Sequence, residues 1–181
     1  MDIHGDRVTL RPVRPDDAAG LASILETPEV ARWWPAYDLA RVEAEFLVDE
    51  PNYVFYAIDV NGRLVGAIQT HEEQEPEFRH ASIDLFLDPA VHGQGLGPDA
   101  IRAVIGHLVA VDGHHRLTID PAADNERAIR AYEKVGFRPV GRLRQYQRFP
   151  DGTWHDGLLM ELLAEDMAND TAGQTSPARS G

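Results

Sequence analysis

An α/β domain of the α+β type, a mixed and mostly antiparallel sheet with helices on its faces, follows from three features of the chain. Three strand-like segments, Asn52 to Val60, Arg63 to Thr70 and His80 to Asp88, succeed one another with no helical period between them. The third runs through a glycine loop, His92-Gly93-Gln94-Gly95-Leu96-Gly97-Pro98, straight into a helix. That helix leads to another strand, His115 to Asp120, and a strand reached by a crossover helix is expected to pair in parallel with the one before it. At 181 residues the chain suits one domain with a proper core and leaves no room for a second.

Arg7 to Arg11 alternates and reads as the first strand. Pro15, Asp16 and Asp17 start a helix whose buried stripe is Ala18, Leu21, Ala22 and Leu25, and Thr27-Pro28 ends it. Two adjacent tryptophans, Trp33 and Trp34, cannot both enter one core from so short an element, so one of them is expected to face a cleft or solvent. Asp38 caps a further helix, with Leu39, Val42 and Phe46 inward and Glu43, Glu45, Asp49 and Glu50 outward. Asn61-Gly62 marks a hairpin. An acidic loop, Glu72 to Glu77, precedes the strand in which Ala81, Ile83, Leu85 and Leu87 alternate with Ser82, Asp84, Phe86 and Asp88.

In the helix after the glycine loop, Ile101, Val104, Ile105, Leu108 and Val109 fall on one face, while Pro98 and Asp99 suit its first turn. Asp124 or Asn125 caps the next helix, which carries Ala128, Ile129, Tyr132 and Val135 and ends at Gly136. Phe137 to Leu143 and Gly157 to Leu163 are closing strands joined across Pro150-Asp151-Gly152. Residues 1–167 form the domain, and the tail 168–181 has little to bury and is expected to be disordered.

Lys+Arg 17 against Asp+Glu 30 gives a net charge of −13, which argues against nucleic acid or an anionic membrane as partner and makes a cationic substrate plausible. With no cysteine there is no disulfide, thiolate nucleophile or thiolate metal site. His114-His115 lacks a zinc-type partner spacing, so no metal is expected. Neither a transmembrane run nor a signal-peptide pattern is visible, and the expected compartment is the cytoplasm.

The glycine loop is an anion seat: its glycines let backbone N–H groups approach a ligand, and the following helix adds unpaired amides and its dipole. No lysine follows the glycines, against a nucleotide-hydrolysing P-loop, and the spacing is not Gly-x-Gly-x-x-Gly, against a dinucleotide fold. The loop resembles instead the acyl-CoA pyrophosphate loop of the GCN5-related N-acetyltransferases, Gln/Arg-x-x-Gly-x-Gly/Ala, with His92 departing at the first position. The downstream block, from Thr118-Ile119-Asp120-Pro121 through Asn125 to Tyr132-Glu133-Lys134-Val135-Gly136-Phe137, is similar to the segment that borders the thioester in that family. Val30 to Trp34 and Ile83-Asp84 look most like the aminoglycoside 6'-N-acetyltransferases.

The resemblance implies a single GCN5-related N-acetyltransferase domain that uses acetyl-CoA as co-substrate and acts on a small cationic amine, as monomer or homodimer. Contacts to acetyl-CoA are expected from Phe86, Leu87, Asp88, His92, Gly93, Gln94, Gly95, Leu96, Gly97, Pro98 and Asn125. Acceptor contacts are expected from Trp33, Trp34, Asp84 and Asp120, with the acidic loop completing the cleft. Asp84 is in any case an odd residue for an apolar strand, since a carboxylate there is either paired, with Arg79 for instance, or holds its proton to unusually high pH. It is the candidate base for the amine, and Tyr132 the candidate acid for the sulfur, unless Tyr132 is simply core. Backbone N–H groups of Phe86 to Asp88 are expected to hold the thioester oxygen. The expected activity is acetylation of an aminoglycoside 6'-amine, an antibiotic-resistance chemistry. The alternatives are a lysine-like siderophore precursor or protein N-terminus as acceptor, or a non-catalytic acyl-CoA sensor.

Overall fold

The computed structural model describes residues 1–48 and 50–167, so the expected disorder of 168–181 and the outward placement of Asp49 lie outside the described residues. Eight strands form one sheet: β1 (Ile3–His4), β2 (Thr9–Pro12), β3 (Tyr53–Val60), β4 (Arg63–Glu73), β5 (His80–Leu87), β6 (Arg116–Ile119), β7 (Arg138–Arg148) and β8 (Trp154–Leu163). Their order is β1-β2-β3-β4-β5-β6-β8-β7. Among the described residues only the β5–β6 pair is parallel, as the crossover between them requires.

Helices α1 (Ala18–Leu25), α2 (Pro28–Ala31) and α3 (Leu39–Phe46) precede the β3–β4 hairpin. Helix α4 (Leu96–Ala110) is the crossover, and α5 (Glu126–Glu133) lies between β6 and β7. The sheet's two faces carry separate cores. Ile101, Val104, Ile105 and Leu108 of α4 pack with Tyr132, Ile68 and Ile83, while Leu21, Leu25, Val42 and Phe46 pack with Ala67 and Phe86. Neighbouring residues along β4, Ala67 and Ile68, thus serve opposite layers, as the period of a strand dictates. Leu39 departs from its expected inward position: it opens α3 and is 43% exposed. The closing strands are longer than their apolar stretches suggest, because β7 continues past Leu143 through a register shift at which Gln145 takes a positive φ of 51°.

Two irregularities prepare the site. Strands β5 and β6 pair only at Ala81↔Leu117 and Ser82↔Thr118, so beyond Ser82 the β6 side of β5 has no partner strand. Across the sheet, a register shift between β3 and β4 sits opposite Gly66, where an ideal Cβ would lie 2.1 Å from the Phe86 carbonyl oxygen. Only glycine allows β4 to approach β5 this closely.

Asp99 fastens the glycine loop to the N-terminal segment. From the first turn of α4 its carboxylate accepts the backbone N–H groups of Asp6, Arg7 and Val8 at 2.9, 2.8 and 3.1 Å. Arg7 returns the contact by donating from Nη1 to the Gln94 carbonyl at 2.6 Å. Asp99→Ala strands three amides that share a charged acceptor, and the expected loss of unfolding free energy is about 3 kcal/mol. Urea denaturation measures it; a loss below about 1 kcal/mol would mean that water replaces the carboxylate without penalty.

Candidate active site

Where β5 and β6 part, the chain encloses a cavity of about 1050 Å³. Its walls include Trp33, Trp34, Asp84, Phe86, Leu87, Asp120 and Tyr132, together with His92, Gly93, Gly95, Leu96, Gly97, Pro98 and Asn125. Segments expected to carry function thus converge on one space.

The glycine loop has the geometry of an anion seat. Gly93 and Gly95 take φ of 76° and 80°, with open space where a Cβ would stand. Gly95 caps α4, whose first amides lack acceptors as at any helix start, and among the described residues Gly93 and Gly95 N–H find no protein acceptor either. Asn125 caps α5 by accepting the Ala128 N–H through Oδ1, which leaves its amide NH₂ for the cavity.

Three expected contacts to the co-substrate need correction. Gln94 lies outside the cavity wall: its side chain donates to the Ala90 carbonyl and its own carbonyl is taken by Arg7. Asp88 also lies outside, because its carboxylate caps the following turn at Ala90 and pairs with Arg63. Its N–H donates to the Val65 carbonyl and cannot reach a thioester. Strand amides alternate sides, so Phe86 N–H faces β4 as well, while those of Leu85 and Leu87 face the opening. Leu85 N–H is held by Asp84 Oδ1 at 2.9 Å, leaving Leu87 N–H free for a ligand oxygen. The third correction is the His92 side chain, whose Nε2 faces the Leu87 carbonyl at 3.0 Å and whose Nδ1 faces Arg127 Nη1 at 2.7 Å. Both ring nitrogens are occupied within the protein.

Two aspartates, Asp84 and Asp120, line the same cavity. Arg79 is no partner for Asp84, since its guanidinium binds the Asp112 and Gly113 carbonyls. Among the described residues Asp84 forms no ion pair. Burial, reinforced by the nearby Asp120 carboxylate, pushes Asp84 up to about 7. Asp120 is raised too, by burial, although it accepts a short hydrogen bond from the Tyr146 hydroxyl that works the other way. Sequence reasoning missed Tyr146, which lies on the stretch of β7 beyond the expected strand. Gly157 of β8 makes its position possible, because an ideal Cβ there would meet the tyrosine ring at 2.9 Å.

Tyr132 belongs to the core and also lines the cavity. Its ring is 7% exposed and packs edge-on against Phe137, while among the described residues its hydroxyl has no hydrogen-bond partner. Burial first, then the Asp84 and Asp120 carboxylates, push it above the usual tyrosine range, so it keeps its proton. Both tryptophans, and not one of them, border the cavity. Trp34 stands edge-on to Phe86 at 5.2 Å, and Trp33 lies under the Arg32 guanidinium at 4.5 Å. The acidic loop 72–77 takes no part in the wall: β4 runs on through Glu73, and Glu72 pairs with buried His114.

The profile of the acetyltransferase (GNAT) domain matches residues 7–138. The chain is 31% identical over 166 residues to an aminoglycoside N(6')-acetyltransferase type 1 of Klebsiella pneumoniae, covering 81% of this chain and 80% of that one. It is 26% identical over 179 residues to the spermidine N(1)-acetyltransferase of Escherichia coli strain K12, covering 93% of each. The solved structure of an aminoglycoside acetyltransferase in complex with coenzyme A and kanamycin superposes with a TM-score of 0.76 at 26% identity, over 91% of this chain and 99% of that one. With a family profile spanning most of its length, and a relative 31% identical over most of both chains, the chain belongs to the GNAT family and is an acetyl-CoA-dependent N-acetyltransferase.

Proposed function

We propose that the acceptor is a small polycation, specifically an aminoglycoside acetylated at its 6'-amine in a resistance-type reaction in the cytoplasm. The observation that carries this reading is the pair of carboxylates, Asp84 and Asp120, which line the same cavity as the glycine loop and, among the described residues, form no ion pair. An ammonium entering there gains two charge-assisted partners. The tryptophan faces at Trp33 and Trp34 offer flat surfaces for sugar rings, which an extended polyamine uses less well. The 31% identity to an aminoglycoside N(6')-acetyltransferase points the same way, and the 26% identity to a spermidine acetyltransferase makes a polyamine the second reading.

Bound acetyl-CoA supplies the acyl thioester, and the loop of Gly93, Gly95, Leu96 and Gly97 fits its pyrophosphate with open amides. Asp84 takes a proton from the acceptor ammonium, directly or through water, and passes it to solvent. Leu87 N–H donates to the thioester oxygen as the nitrogen–carbon bond forms and the carbon–sulfur bond breaks. Tyr132 donates its proton to the departing sulfur and recovers one from the amine's second proton. The ammonium loses two protons, one to solvent and one in effect to sulfur.

Purified protein assayed with kanamycin-type compounds, spermidine, a lysine derivative and a peptide is expected to release CoA fastest with the 6'-amino sugars. The product's modified nitrogen is located by NMR, and kcat/KM is expected to fall as salt screens the attraction. Turnover confined to spermidine, or to the lysine derivative or peptide, would overturn the acceptor assignment.

Asp84 also predicts opposite signs for activity and stability. Its base form appears above about pH 7, so kcat/KM is expected to rise through that pH, and Asp84→Asn to lower it by about 10²- to 10⁴-fold. The folded protein holds this proton to higher pH than the unfolded chain does. Its contribution to stability therefore falls as pH rises from the ordinary carboxylate range to about 7. Asp84→Asn removes that fall, and at pH 8 the variant is expected to melt above the parent; a lower melting temperature would show that the carboxylate is structural.

A further inference from the structure

We propose that Arg127, held in place by the His92 ring, is the cation that grips the pyrophosphate of acetyl-CoA. The inference depends on the use of acetyl-CoA and not on which amine accepts the acetyl group.

The geometry fixes the direction of each hydrogen bond. The Leu87 carbonyl only accepts, so the His92 Nε2 that faces it at 3.0 Å carries the hydrogen. Arginine only donates, so the Nδ1 at 2.7 Å from Arg127 Nη1 is a lone pair. His92 is therefore a neutral ring with a set tautomer, spanning from the end of β5 to the start of α5. Burial, and next the Arg127 charge, lower its proton affinity and keep it neutral.

The position occupied by His92 is the one at which the resembling loop pattern places glutamine or arginine, side chains that donate directly. A neutral histidine with both nitrogens engaged has nothing to offer a phosphate. What it offers is the guanidinium behind it. Arg127 borders the cavity together with Gly93 and Gly95, and among the described residues it meets no carboxylate. Lys134 and Arg148 line the cavity without a carboxylate as well, but Arg127 is the one whose guanidinium is fixed by the histidine of the glycine loop, although Glu126 and Glu133 stand on the same helix. Arg130 of the same helix illustrates the contrast, being paired with Glu126 at 2.9 Å. Nη1 is tied to the histidine while the remaining donors stay available, and a guanidinium binds phosphate oxygens through two parallel N–H groups. His92 acts through Arg127 and is a positioning residue, not a catalytic one.

Isothermal calorimetry with CoA and with 3'-dephospho-CoA, neither needing an acceptor, tests this directly. Arg127→Met is expected to weaken CoA about tenfold, the loss of one charge-assisted contact, and to weaken 3'-dephospho-CoA by the same factor. His92→Leu is expected to weaken both ligands, and the double variant to be no worse than Arg127→Met alone, because the two residues act in series. His92→Asn keeps an acceptor oxygen toward Arg127 and is expected to recover most of the affinity. In steady state the penalty is expected in KM for acetyl-CoA far more than in kcat, a split that mere loss of folded protein does not produce. CoA binding within twofold of the parent in Arg127→Met would overturn the proposal. So would a penalty that vanishes with 3'-dephospho-CoA, since Arg127 would then serve the 3'-phosphate, or full additivity in the double variant.

Discussion

The parting of β5 from β6 after Ser82↔Thr118 is the constraint on which the site depends. A parallel pair that continued would bury the backbone of Ile83 to Leu87 in a ladder and close the sheet. Because it stops, one side of β5 faces a cavity, and among the described residues Leu87 N–H has no protein acceptor there. The same opening brings Asp84 from β5, Asp120 from just beyond β6 and Tyr132 from α5 around one space. Gly66 supports it from the other side by letting β4 come close enough to hold β5 alone.

Both signs of charge border that opening. Backbone amides of the glycine loop line it together with Arg127, Lys134 and Arg148, and so do Asp84 and Asp120, whose proton affinity burial raises. A carboxyl group that resists ionisation weakens the folded state at neutral pH and is useful for taking a proton from an amine. Stability comes instead from apolar burial and from hydrogen bonds away from the two aspartates. The core that includes Ile101, Val104, Ile105 and Leu108, together with the Asp99 clamp, fastens α4 and its glycine loop to the N-terminal segment.

The parts of this arrangement that were legible in the chain are those governed by local pattern. The alternation of β5, the glycines before α4, the Asn125 cap and the oddness of Asp84 in an apolar strand all show in short windows. What was not legible depends on partners far apart in sequence. Asp99 suits a helix dipole locally, yet its carboxylate serves amides more than 90 residues earlier. Asp88 and Gln94 sit in the right loop but are spent on Val65, Arg63, Ala90 and Arg7. Tyr146 was hidden because β7 passes through the positive φ of Gln145, which breaks the strand period before the tyrosine is reached. Both tryptophans line the cavity because the short segment lies between it and the core that holds Val30, against which Trp34 also packs.

The central claim is that burial at the sheet opening, with no cationic partner to offset it, keeps Asp84 protonated into the neutral range. Carbon-13 NMR of the side-chain carboxyl in aspartate-labelled protein, assigned by comparison with Asp84→Asn, reads this without any substrate. The account predicts one carboxyl signal that titrates near pH 7 and disappears in the variant. An Asp84 signal that titrates in the ordinary range, about pH 4, would contradict it.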